Sequence, residues 1–151
     1  MLVNILFGFL IPWFFGIWLF FKNPKVVLTI APFSSAISFI VNIWGTYYNF
    51  WLFTPLLEPK TASMLPADIG LFPVAACFNI HFIQKKSSNP FLLILMFSIG
   101  LTLIETGYFY LEKVSYYNGW NFIWTFFSYL TPALLTYGFF YLLKTKGVLE
   151  K

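Results

Sequence analysis

The sequence predicts an all-α membrane protein: a bundle of five transmembrane helices with its N-terminus outside and its C-terminus in the cytoplasm. Three observations carry this. First, of 151 residues 60% are hydrophobic, 24% are aromatic and only 9% are charged. A soluble domain carries about 25% charged residues, so the apolar surface must meet lipid. Second, five apolar runs, each near the roughly 20 residues that cross a bilayer core, nearly exhaust the chain. Third, all nine basic residues are lysines, and they fall mostly on one side of those five runs.

The first run covers residues 2–21 and closes in Lys22-Asn23-Pro24-Lys25. No positive charge precedes it and no small-residue cleavage site follows, so it reads as a span and not a cleaved leader. Gly8, Pro12 and Gly16 share one helix face suited to close packing, with Pro12 as a kink. The second span covers 26–44 and ends at a tyrosine-marked interface. Residues 45–65 are mixed: Phe50-Trp51-Leu52-Phe53 is too short to span, and Pro55 and Pro59 oppose a long helix. They are expected to form an interfacial or re-entrant loop. The third span covers 66–84, with Pro66 in its first turn. The fourth covers 91–111 and the fifth 120–143. The chain reads as a single membrane domain over 1–151 with no room for a soluble catalytic domain.

Five spans put Lys22, Lys25, Lys85, Lys86, Lys144, Lys146 and Lys151 on one side, against Lys60 and Lys113 on the other. The positive-inside rule makes the lysine-rich side cytoplasmic. Without arginine the chain lacks the bidentate phosphate fork, and no pattern suggests nucleic-acid binding. The lone Cys77 excludes an intrachain disulfide and a multi-cysteine metal site. His81 has no second histidine to join it, so no metal and no cofactor is expected. No Walker loop, nucleophile elbow, HExxH or CxxC occurs, which favours a non-enzyme.

Polar groups inside spans mark the bundle interior, because leaving them unpaired in lipid is costly. Ser98, Thr102, Glu105 and Phe109 share a face of the fourth span, Asp68, Phe72, Ala75 and Asn79 of the third, Ser38 and Asn42 of the second, and Asn121, Thr125, Ser128 and Pro132 of the fifth. The first span has no such stripe and is expected at the periphery. The topology places Asn42, Asp68, Glu105 and Tyr108 in the outer half, as the candidate polar pocket. Ser98, Thr102, Asn79 and His81 continue inward, as a candidate polar path. Glu105 reads equally as a functional carboxylate or as an interhelical hydrogen-bonding group joined to Asn42 or a tyrosine. Asp68, near a helix N-terminus, also suits a capping role.

Asp68-Ile69-Gly70-Leu71-Phe72-Pro73, Cys77-Phe78-Asn79, Leu103-Ile104-Glu105, Glu112-Lys113 and Tyr117-Asn118-Gly119-Trp120 occur here in order. Together, over roughly 68–141, they resemble a family of small multi-pass integral membrane proteins of spore-forming Gram-positive bacteria, whose members have no assigned biochemical function. Members often place another side-chain amide or hydroxyl after the asparagine, where this chain has Ile80-His81. The resemblance implies a location, the bacterial plasma membrane, and no activity. The lipid bilayer is the expected partner, with another membrane protein or a second copy beside it. Three functions follow as expectations. The first is binding of a small molecule, lipid or partner in the outward-facing pocket. The others are proton or small-cation transport centred on Glu105, and intramembrane acid/base catalysis on lipid or isoprenoid substrates by Asp68 and Glu105.

Overall fold

Proline, glycine and asparagine set where the helices begin and bend. The computed structural model describes residues 1–85 and 89–149, so Lys86 and Lys151 of the lysine pattern lie outside the described residues. Helix α1 (Leu2–Lys22) widens into a π-turn over Leu6–Leu10 before resuming as α-helix. Pro12 has no N–H to offer the Gly8 carbonyl, which breaks the regular ladder at that turn. Helix α2 (Pro24–Tyr47) is capped by Asn23, whose Oδ1 accepts from the Val26 N–H. Helix α3 (Leu65–Lys85) breaks at Gly70. Helix α4 (Pro90–Tyr110) is capped by Asn89, and α5 (Phe122–Thr145) by Asn121. All five are long and apolar enough to cross a membrane.

The stretch expected as an interfacial or re-entrant loop has its own structure. Helix α2 runs on to Tyr47, and strand β1 (Trp51–Phe53) then pairs antiparallel with β2 (Val114–Tyr116). Trp51 faces Tyr116, Leu52 faces Ser115 and Phe53 faces Val114. A short apolar run that cannot span needs partners for its backbone, and the segment after α4 supplies them. The turn leading to α5 uses Asn118 and Gly119 at positive φ, residues that tolerate the left-handed region. Asn118 Nδ2 donates to the carbonyls of Tyr48 (2.9 Å) and Asn49 (3.3 Å), joining the two loops again.

Helices α2, α3, α4 and α5 contact one another in a ring, and α1 packs outside it against α2 and α3. The peripheral place expected for α1 is therefore observed, yet α4 and α5 are the least buried of the five. Asn4, Gly8, Pro12, Gly16 and Leu19 form the buried face of α1. At one end Asn4 Nδ2 donates to Thr54 O (3.0 Å) and Ser63 O (2.9 Å), so the start of α1 lies with the strand pair. At the other end Asn23 Nδ2 donates to Gln84 Oε1 at 2.7 Å. There Leu19, Val26, Ile30, Cys77, Ile80, Phe140 and Leu149 form an apolar core. Asn4 and Leu149, near the two ends of the described chain, thus sit at opposite ends of the bundle.

Candidate functional site

The break in α3 positions the first carboxylate. A Cβ on Gly70 would lie 2.1 Å from Gly8 O and 2.6 Å from Phe9 Cα, so only glycine lets the two backbones approach this closely. Trp13 Nε1 donates to the Ile69 carbonyl at 2.7 Å, satisfying an acceptor beside the break. Asp68 sits in the short helical piece before it and is wholly buried. Its Oδ1 accepts from Ser38 Oγ (2.7 Å) and Asn42 Nδ2 (2.6 Å), both on α2. Asp68 caps nothing: the helix N-cap is Met64, which makes no side-chain cap bond. Asp68 Oδ2 is buried without a hydrogen-bond partner.

Asn42 passes this pairing on to the loop. Its Oδ1 accepts from Trp51 Nε1 at 3.2 Å. The indole fits only because residue 45 lacks a side chain: a Cβ there would lie 2.0 Å from Trp51 Cζ2. Trp51, Met64 and Val114 form a small apolar core beneath the strand pair.

The second carboxylate is held separately. Glu105 Oε1 accepts from Tyr116 OH (2.6 Å) and Thr125 Oγ1 (3.4 Å), and Oε2 accepts from Tyr129 OH. Thr125 Oγ1 in turn lies 3.1 Å from Tyr116 OH and accepts from Trp120 Nε1 at 2.9 Å. Burial, reinforced by the Glu105 carboxylate, pushes the Tyr116 phenol well above the usual tyrosine range. Among the described residues Asp68 and Glu105 share no hydrogen-bonding partner.

Between the four ring helices lies a cavity of about 80 Å³. Asn42, Asn79, Ser98, Glu105 and Tyr129 are among its polar lining residues; Phe72, Phe97 and Leu101 are among its apolar walls. Trp51, Phe53 and Met64 cover it at the strand end. Asp68 reaches it only through Ser38 and Asn42, which line it. Tyr108 lies with Glu105 on a second, smaller cavity of about 40 Å³, its ring 6.4 Å from that of Phe53. It makes no bond to Glu105.

The inward residues separate. Asn79 is buried in the cavity wall with Oδ1 unpartnered. Ser98 also lines the cavity, but its hydroxyl donates to Ile94 O at 2.9 Å. Thr102 donates to Ser98 O at 2.8 Å and lines neither cavity. His81 is buried at the far end, its Nδ1 3.4 Å from Asn23 Nδ2. Of the two partners expected for Glu105, a tyrosine is found, in Tyr116 and Tyr129, and Asn42 is not, since it bonds Asp68; Thr125 and Tyr129 carry no individual sign of the contact in the sequence. The Thr125 stripe on α5 continues one turn on to Tyr129 and was the available signal. Among the described residues no three histidine, cysteine or acidic side chains group as a metal site. No family model, no curated protein and no solved structure matches the chain.

Proposed function

We propose that the chain is a multi-pass protein of the bacterial plasma membrane that binds a small molecule in the cavity between α2, α3, α4 and α5. Membrane residence rests on five helices long and apolar enough to span. Orientation rests on the lysines: Lys22, Lys25, Lys85, Lys144 and Lys146 gather at the end opposite the strand pair, and Lys60 and Lys113 at the strand end. By the positive-inside rule the strand pair and the N-terminus are then outside.

The observation that carries the binding reading is Asn79. A buried amide oxygen without a donor is uncommon, since leaving it unmade costs about 1–3 kcal/mol. The Asn79 side chain lines a cavity whose other walls are largely apolar, the usual composition of a small-molecule site. A bound molecule that donates to Asn79 removes that cost. Protein purified gently from its native membrane and extracted for mass spectrometry tests the reading. A single small compound is expected with wild type and is lost from Asn79→Leu, Asp68→Asn and Glu105→Gln, with Cys77 still shielded from maleimide in each. Recovery of bulk phospholipid alone from every variant refutes it.

A further inference from the structure

The proposed cavity does not treat all ligand charges alike. Among the described residues its lining includes no lysine and no histidine. One carboxylate, Glu105, lines it, and a second, Asp68, stands one hydrogen bond behind Asn42 and Ser38. The described hydrogen bonds to both carboxylates come from neutral hydroxyl and amide donors. Two buried acceptors, Asn79 Oδ1 and Asp68 Oδ2, have no donor at all. The rings of Phe72, Phe97 and Tyr129 line the same space, and aromatic faces attract cations. An anion entering here would meet two acidic groups and, among the described residues, no basic side chain. A buried carboxylate, by contrast, is stabilised by an opposite charge that brings hydrogen-bond donors with it.

We infer that the occupant of this cavity is a lipophilic amine, its ammonium group donating to Asn79 Oδ1 and the Glu105 carboxylate while its hydrocarbon part lies against Phe72, Phe97 and Leu101. This rests on the binding reading above and adds the ligand's chemical class. An ammonium carries three donors and no acceptor, the complement of an acceptor-rich wall. A cavity of about 80 Å³ is smaller than the engineered apolar cavity of about 150 Å³ that holds benzene, so the part that enters is of short-alkyl size.

A matched set of probes separates the possibilities: n-butylamine, n-butanol, butyrate and n-pentane, titrated into purified protein in lipid nanodiscs, with nanodiscs lacking protein as the blank. Binding is followed by ligand-observed NMR. The amine is expected to bind roughly tenfold more tightly than butyrate, a difference of one favourable charge contact. Glu105→Gln should bring the amine down to the level of butanol, and Asn79→Leu should weaken amine and alcohol together. Maleimide labelling of buried Cys77 identifies variants that remain folded. Butyrate binding as well as or better than the amine overturns the inference. Equal binding of all four, n-pentane included, overturns it but leaves a cavity that binds small molecules. Binding of none of them overturns this inference and the binding reading alike.

Discussion

Replacing Gly70 by alanine should loosen α1 from the rest of the bundle. The added methyl carbon would sit 2.1 Å from Gly8 O, 2.6 Å from Phe9 Cα and 2.7 Å from Pro66 O. All three are backbone atoms, so no side chain can rotate away. Restoring an ordinary carbon–oxygen contact of about 3.3 Å requires α1 to retreat by roughly 1.2 Å. Overpacking of this kind costs about 1–3 kcal/mol. The same displacement stretches the 2.7 Å bond from Trp13 Nε1 to Ile69 O, worth about 1 kcal/mol. The sum, roughly 2–4 kcal/mol, corresponds to a fall in melting temperature of roughly 5–15 °C at 2–4 °C per kcal/mol for a chain of this size. Cys77 supplies the assay, because it is the single cysteine, 1% exposed, in the apolar core at the opposite end. A maleimide dye that fluoresces on reaction reports when that core opens on heating. Gly100→Ala is the internal control: its Cβ would meet nothing within 4 Å, and alanine is the better helix former by about 1 kcal/mol. Equal melting of Gly70→Ala and wild type, or equal loss in both variants, would refute the close-approach argument.

Two further outcomes follow from the loop region. The Tyr116 phenol ionises above the usual tyrosine range in the folded state, so its stabilising contribution is full below the unfolded value of about 10 and is lost as pH rises beyond it. Tyr116→Phe should therefore lose stability less steeply in alkaline buffer than wild type, with the exposed Tyr117→Phe as control; an unchanged slope contradicts the placement of Tyr116 against Glu105. Leu52→Cys combined with Ser115→Cys should crosslink under mild oxidation, because these residues face each other across the strand pair. Leu52→Cys with Ser128→Cys should not. Failure of the first pair to form a gel-shifted species argues against the register.

What was legible in the sequence follows the distance over which each signal acts. Spans are written in runs of about 20 residues, so their number and order could be read directly. Polar stripes are written at helical spacing, which is why the sequence puts Asn42 and Asp68 at the same level, where the structure joins them at 2.6 Å. Glu105 is recognisable as an interior carboxylate with a tyrosine as a candidate partner, but the sequence does not say which tyrosine, and Asn42, the other candidate, bonds Asp68 instead. Tyr108, three residues along the same helix, was the nearest choice, while the bonds come from Tyr116 beyond the helix end and from Thr125 and Tyr129 on α5. Nine tyrosines in a chain so rich in aromatics give no local sign of which one turns inward. The tight sites at Gly45 and Gly70 were equally silent. A glycine in a helix shows its purpose only once the atom that would collide with its Cβ is known. The strands were missed for a related reason: three-residue segments carry little periodicity, and β1 has meaning only beside β2.

That last pairing also bears on how the chain is made. Trp51 and Tyr116 are register partners although 65 residues separate them (116 minus 51). A growing chain emerges from its N-terminal end at about 5–20 residues per second. For several seconds after α2 has been synthesised, β1 has no strand to join and its backbone groups must be met by water or by the insertion machinery. Trp51, Phe53 and Met64, which cover the cavity, can be held in place by β2 only after α4 has been made. That end of the bundle therefore stays open until β2 has followed α4 out of the ribosome.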